Sequence, residues 1–266
     1  MIDTQSTLTR IHAALEAGRE VLNRFTPGAI EAEYKAGHDP VTEADRAVDD
    51  VLKKNLLRDG EGWLSEETTD DPSRLTKRRV WVVDPLDGTR EFVQGIPEFC
   101  ISIAMVEDGV PVAGGICNPV TDELIIGSRE TGVTYNGKPA QTSQRRELRG
   151  ASVLASRSEV KRGEWKQFDG AELDIRAMGS VAYKLGLVAA GKADITFTLV
   201  PKNEWDVAAG AALALSAGGF VQTLEHTDLK CNRRNPLITG LIASGPHLAA
   251  ELMARLNSHL HQDAAK

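Results

Sequence analysis

One stretch constrains this chain more than any other: Arg79-Val80-Trp81-Val82-Val83-Asp84-Pro85-Leu86-Asp87-Gly88-Thr89-Arg90-Glu91-Phe92. The apolar, β-branched run from Val80 to Val83 predicts a buried strand, and Pro85, which cannot donate to a ladder, predicts its end. Asp84 is then expected at the carboxyl end of the strand, with Asp87 on the tight turn that follows. Gly88 lets the backbone pass close to a ligand, and Thr89 stands where a helix would begin. Two carboxylates this close repel each other unless they are protonated, paired or metal-bound. Free N–H groups at a helix start favour an anion, so the pattern suits an anion bridged to the protein by hard cations. The alternative is a turn whose aspartates only cap and hydrogen-bond backbone.

Before this stretch, Leu8, Ile11, Leu15, Leu22 and Phe25 fall at helical spacing from Ser6 to Phe25, and Pro27-Gly28 ends the pattern. A second helix is expected after Asp39-Pro40, with Thr42 as N-cap, Val48, Val51, Leu52 and Leu56 on one face, and Gly60 as the stop. Asp45 falls in or just after its first turn, where an acid complements the helix dipole whatever else it does. Trp63-Leu64-Ser65 reads as a short strand running into Glu66-Glu67, otherwise a solvated acidic loop. After the central stretch come β runs at Cys100–Val106, Val112–Ile116, Leu124–Gly127 and Val133–Tyr135. Glu107-Asp108-Gly109 and Asn136-Gly137 supply turn residues that tolerate positive φ, which predicts an antiparallel meander.

The polar segment Gln141–Gly150 marks a boundary between halves 1–145 and 146–266. In the second half, strands are expected at Val153–Ser156, Ile195–Leu199, Phe220–Leu224 and Leu237–Ala243. Helices are expected at Glu159–Gln167, Val181–Ala190, Asp206–Ala217 and Pro246–Leu260. Such alternation predicts an α/β layer packed on an α+β first half.

At 266 residues and 41% hydrophobic content, the chain is long enough for one large core or two smaller ones. A formal charge of −7 argues against a nucleic-acid polymer as partner, whereas a metal-filled pocket still attracts a small phosphorylated molecule. Cys100, Cys117 and Cys231 are few, odd in number and far apart, as expected of free thiols in a reducing compartment. No basic, apolar leader opens the sequence, and no apolar run approaches the ~20 residues of a membrane span. A cytoplasmic protein with no membrane contact is the expectation.

Four motifs now stand in order: Asp39-Pro40-Val41-Thr42-Glu43-Ala44-Asp45, Ser65-Glu66-Glu67, Asp84-Pro85-Leu86-Asp87-Gly88-Thr89 and Glu204-Trp205-Asp206-Val207-Ala208-Ala209-Gly210. Together they resemble the inositol monophosphatase superfamily of metal-dependent, lithium-sensitive phosphomonoesterases. The resemblance implies a layered αβαβα sandwich, mixed α+β and α/β in class. It also implies metal ligation by Glu66, Asp84, Asp87, Asp206 and the Leu86 carbonyl. Glu67 would stand outside these ligands, and most relatives carry glycine where Ser65 stands. Such an all-oxygen set suits two or three Mg²⁺ ions, or Mn²⁺, rather than zinc. Li⁺ is expected as an inhibitor and a homodimer as the assembly. By the same resemblance Asp45 and Thr89, with Glu66 and one ion, hold and activate a water. The remaining ions neutralise the phosphate and the leaving alkoxide, with no covalent phosphoenzyme.

Substrate contacts implied by the resemblance are Asp87, Gly88, Thr89, Gly179, Ser180, Lys184 and Asp206. Read from residue types alone, Asp206 is a helix cap, Gly179-Ser180 a capped glycine turn and Lys184 a solvated lysine. Arg90-Glu91-Phe92, Ser156-Arg157-Ser158 and the Ala-rich tail of Glu204-Trp205-Asp206 are similar to the 3′(2′),5′-bisphosphate nucleotidase branch, which implies 3′-phosphoadenosine 5′-phosphate as substrate. Lys184, where that branch carries a lysine, would meet the second phosphate. Inositol 1-phosphate, or a sugar or histidinol phosphate, is the alternative, and a non-catalytic metal or nucleotide sensor is the reading outside enzymes.

Overall fold

The computed structural model describes residues 4–34, 40–168, 172–225 and 227–263. Asp39 of the first motif and Met1–Asp3 lie outside the described residues. In the first half, α1 (Thr4–Leu22) precedes two short strands, β1 (Glu33–Tyr34) and β2 (Pro40–Val41), and then α2 (Glu43–Leu56). They are followed by β3 (Gly62–Ser65), β4 (Arg79–Asp87), α3 (Thr89–Val93), β5 (Cys100–Glu107), β6 (Val110–Asn118), β7 (Glu123–Ser128), β8 (Gly132–Tyr135) and β9 (Lys138–Ala140). The second half contains β10 (Ser152–Ser156), α4 (Arg157–Arg162), β11 (Asp174–Met178), α5 (Val181–Ala189), β12 (Ile195–Thr198) and β13 (Lys202–Asn203). It closes with α6 (Glu204–Ser216), β14 (Phe220–Thr223), β15 (Leu237–Ile238), β16 (Leu241–Ser244) and α7 (Ala249–Asp263).

These elements stack in five layers, α-β-α-β-α. Among the described residues the larger sheet has seven strands in the order β3-β4-β5-β6-β7-β8-β9, the smaller five in the order β11-β10-β12-β16-β14. On one face of the larger sheet α1 and α2 bury Ile11, Leu15, Val48 and Leu52 against Trp81, Ile101 and Met105. Its other face packs on α5 and α6, which lie on the smaller sheet in turn, so one core joins Val80 and Val82 to Leu154, Val221 and Leu241. A third core, with Trp165, Phe168, Phe197 and Leu252, covers the far face of the smaller sheet. Each fully buried Leu, Ile or Phe contributes roughly 1.5–3 kcal/mol, so the layers are held mainly by these faces.

The expected meander is present, with β4 through β9 antiparallel. Its turns have the expected chemistry: Asp108 and Gly109, and Asn136 and Gly137, all take positive φ. The segment around Gln141–Glu147 carries no regular structure.

The structure departs from the expectations at several points. β4 does not stop at Pro85 but runs to Asp87, with a register shift between Asp84 and Asp87 that bulges past the proline. Asp84 is therefore inside the strand, and pairing resumes at Asp87 opposite Cys100. The helix expected over Glu159–Gln167 is divided by Gly163 (φ +84) into α4 and a 3-10 turn at Glu164–Phe168. The strand expected over Leu237–Ala243 is broken at Gly240 into β15, which pairs β13, and β16. Strand β3 adds to the larger sheet in parallel with β4, and β9 and β11, absent from the expectations, lie at sheet edges where half-exposed residues give no apolar run.

Candidate active site

The site forms where β3, β4, α2, α3, α5 and α6 all end or begin. The β4 bulge turns two carboxylates and a carbonyl out of one strand. Asp84 Oδ1 accepts from the Leu86 N–H at 3.0 Å, while its Oδ2 is buried with no hydrogen-bond partner. Glu66 follows β3 directly, its N–H donating to the Val83 carbonyl at 3.3 Å. One carboxylate oxygen each from Glu66, Asp84 and Asp206 lies within 4.8 Å of the others.

Asp206 is at N3 of α6, and its Oδ2 accepts from the N–H of the N-cap residue Asn203 at 2.8 Å. Asp206 thus both caps the helix start and joins the converging carboxylates. The cap itself is Asn203, legible as Asn-Glu-Trp-Asp, a capping-box pattern that the sequence reading missed. The Ala-rich start of α6 lies close against α5: a Cβ on Gly210 would lie 2.2 Å from Leu185 Cβ.

Asp45 likewise plays two parts. Thr42 caps α2 as expected, and Asp45 Oδ2 accepts from the Thr42 N–H (2.8 Å) and Oγ1 (2.6 Å). The other oxygen, Oδ1, is 3.0 Å from Thr89 Oγ1, which is also 3.0 Å from the Leu86 carbonyl. Thr89 opens α3 as expected, after Gly88 at φ +99. Gly88 approaches protein rather than open space, since a Cβ there would meet Glu98 O at 2.8 Å.

Asp87 faces α5. Its Oδ2 accepts from Ser180 Oγ and the Ala182 N–H, both at 2.6 Å, and it is not one of the three converging carboxylates. The Gly179 N–H donates to Glu98 Oε2 at 2.7 Å. The start of α5 is thus engaged by two carboxylates, while Gly179 and Ser180 still line the cleft. Lys184 corrects the reading from residue type: it is 2% exposed, not solvated, with Nζ 3.3 Å from the Met178 carbonyl and 3.5 Å from that of Gly179.

Two supports were invisible in the sequence. Asp49, one turn after Asp45 on α2, accepts from Ser65 Oγ at 2.5 Å and from Thr68 Oγ1, fixing the turn that presents Glu66. Ser65, the departure from glycine, is therefore part of that clamp. Glu98 ties the halves together by accepting from Arg157 as well as Gly179.

The electrostatics are those of crowded anions. Burial pushes the Asp84 carboxyl well above the usual carboxylate range, and Glu66, Asp87 and Asp206 add to the shift. Burial also raises Asp206 well above that range, with Asp87 and Glu66 reinforcing it. Asp87 is raised by burial despite the hydrogen bonds from Ser180 and Ala182, and Asp45 by burial despite those from Thr42 and Thr89. Burial lowers Lys184 to about 8 against the opposing pull of Asp87. An orphaned buried oxygen on Asp84 among raised carboxylates is what a hard divalent cation relieves, and the donors, all oxygen, fit such an ion. The cluster opens into a cleft of about 340 Å³ lined by Glu66, Asp87, Thr89, Ser180 and Asp206 among others.

A five-layer α/β sandwich with carboxylates converging at its strand and helix ends has a site able to hold a hard cation. Comparison with known proteins gives the family. The inositol monophosphatase family model matches residues 3–262. Inositol monophosphatase 3 of Solanum lycopersicum is 32% identical over 93% of this chain and 94% of its own. The structure of inositol monophosphatase from Anabaena (Nostoc) is similar at a TM-score of 0.79, with 27% identity over 97% of each chain. That of CysQ from Bacteroides thetaiotaomicron, described as a bacterial member of the family, has a TM-score of 0.76 and 28% identity over 91% of this chain and 97% of its own. The chain belongs to the inositol monophosphatase family, a family of phosphoric monoester hydrolases that is generally metal-dependent and acts on small phosphorylated substrates. No helix among the described residues is long and apolar enough to cross a membrane.

Proposed function

We propose that this phosphatase is a Mg²⁺-dependent 3′(2′),5′-bisphosphate nucleotidase, acting on 3′-phosphoadenosine 5′-phosphate as a cytoplasmic homodimer. The observation that carries the phosphatase chemistry is the convergence of one carboxylate oxygen each from Glu66, Asp84 and Asp206, with a buried Asp84 oxygen left without a hydrogen-bond partner. Glu66, Asp84, Asp87, Asp206 and the Leu86 carbonyl would hold Mg²⁺, with Li⁺ competing for the same oxygens. When bound there, the cation supplies Lewis acidity toward phosphoryl oxygens and lowers the pKa of water. The chain's own groups do the rest. Thr89 Oγ1, hydrogen-bonded to Asp45 Oδ1, accepts a hydrogen bond from the attacking water and relays its proton to that carboxylate. Burial raises the proton affinity of Asp45, which suits it to receive the proton. The water oxygen bonds phosphorus, the ester P–O bond breaks, and the leaving alkoxide takes a proton from solvent water in the open cleft, while Asp45 later returns its proton to solvent. Asp49 keeps Glu66 in register, and Ser180 and Ala182 orient Asp87.

The nucleotide reading rests on the cations of the cleft, where Lys184 places positive charge beside Asp87, and on the likeness to CysQ. Inositol 1-phosphate is the second reading, favoured by the identity to a relative named inositol monophosphatase. Phosphate release with Mg²⁺ from the two compounds, side by side, separates them. A kcat/KM advantage of about a hundredfold for the nucleotide, roughly 2.7 kcal/mol of discrimination, is expected. The reverse preference would assign the inositol compound.

A further inference from the structure

The cleft that opens from the carboxylate cluster is also lined by cations, and they are not equivalent. Arg157 is held by Glu98 and lies 3.7 Å from Glu91. Arg162 is paired with Glu164 at 2.6 Å. Lys184 is buried on two backbone carbonyls. Lys202 differs from these three: it lines the cleft with no carboxylate among the described residues within ion-pair distance, and its charge reaches Asp87, Asp206 and Lys184. An anion reaching Lys202 has no protein partner to displace, whereas at Arg157 or Arg162 it must break an existing pair.

The backbone that carries Lys202 is fixed. Lys202 pairs with Ile238, and the next residue, Asn203, caps the metal-site helix α6. The Glu204 N–H donates to the Pro236 carbonyl at 2.8 Å. The Glu204 side chain, buried, accepts from the N–H groups of Asn232 (2.6 Å) and Arg233 (2.9 Å). A lysine whose main chain is pinned loses less freedom on binding than one on a mobile loop, so more of its attraction to an anion is realised.

We propose that Lys202 receives a second anionic group of the substrate, a phosphate in the first instance, and so selects bisphosphorylated over monophosphorylated metabolites. The proposal rests on the phosphatase reading of the adjoining carboxylate site. Lys184, already engaged, contributes its field from the floor of the cleft, and Lys202 makes the contact. The polyol or nucleoside scaffold between the two phosphates is secondary, because Lys202 reads charge and not the scaffold.

The test measures kcat/KM with Mg²⁺ for 3′-phosphoadenosine 5′-phosphate against adenosine 3′-phosphate, and for inositol 1,4-bisphosphate against inositol 1-phosphate. In the wild-type protein the bisphosphate of at least one pair is expected to lead by tenfold or more. Lys202→Ala should shrink that ratio by about tenfold, mainly through KM of the bisphosphate, and Lys202→Arg should recover most of it. A ratio that survives Lys202→Ala, whether or not it falls in Lys184→Ala, overturns the assignment. Equal turnover of mono- and bisphosphates by the wild-type protein removes the subsite but leaves the phosphatase reading standing. Phosphate release from none of the four compounds removes both.

Discussion

Asp87 separates what the fold needs from what the chemistry needs. Its Oδ2 already accepts two hydrogen bonds from the start of α5, and burial makes its charge costly. Asparagine with its amide oxygen in the place of Oδ2 keeps the acceptor for both donors and removes the charge. Asp87→Asn is therefore expected to fold, with a metal-free Tm equal to or above that of the wild type. Its kcat should fall at least about 100-fold, as for loss of one charged group that orients reacting atoms. Near-wild-type turnover at saturating Mg²⁺ would remove Asp87 from the metal site. This residue was legible in the sequence because Asp-Pro-Leu-Asp-Gly-Thr puts two carboxylates, a glycine and a helix-starting hydroxyl within one turn. Asp45, Glu66 and Asp206 were legible through their flanking motifs. Asp49 and Lys202 were not, since their roles depend on distances across the fold: Asp49 to Ser65 and Thr68, Lys202 to a cleft built from both halves.

At the level of elements, the packing of α5 on α6 sets the spacing of the site. The start of α5 holds Asp87, and the start of α6 supplies Asp206. Gly210 allows the two helices to touch, for any Cβ there would sit 2.2 Å from Leu185 Cβ, an atom too close to its own main chain to move aside. Gly210→Ala is expected to push the helices apart at a cost of about 1–3 kcal/mol. Urea unfolding should show the lower stability, and the Mg²⁺ concentration for half-maximal activity should rise, because the two carboxylate anchors separate. Unchanged stability would mean the helices do not touch as described. The helices were read well from apolar spacing, and the meander from its Asp-Gly and Asn-Gly turns. The departures from that pattern share a cause: the surroundings of a segment, not its own apolar spacing, decide where it ends. Pro85 is bypassed by a bulge because β5 continues to pair beyond it. Gly163 and Gly240, at positive φ, split segments whose apolar residues gave no sign of a break.

For the whole molecule, the central core takes side chains from both 1–145 and 146–266, and the carboxylates sit at the seam. Stability and metal occupancy must therefore be coupled. Without metal, Asp45, Asp84, Asp87 and Asp206 have pKa values above the usual carboxylate range, with burial the largest cause. A group raised in this way contributes stability that is full below its unfolded pKa of ~3.9 and is lost as pH rises through its folded value. The metal-free protein should accordingly lose stability as pH climbs above ~4. Glu61 acts in the opposite sense. Burial pushes it up, but the hydrogen bonds from Arg10 and Trp81 outweigh that and hold it below the usual range, so its contribution fades only as pH falls. That contribution is common to both forms and cancels when they are compared. Mg²⁺ favours the ionised carboxylates, so its stabilising effect should grow with pH. At 100 times its dissociation constant a ligand adds about 2.7 kcal/mol, roughly 5–10 °C in Tm for a chain of this size. Thermal unfolding with Mg²⁺ and with EDTA should give that difference at pH 8 and a smaller one at pH 5, each in a single transition because the halves share a core. A difference larger at pH 5, or none at pH 8, would mean that the converging carboxylates do not hold the ion.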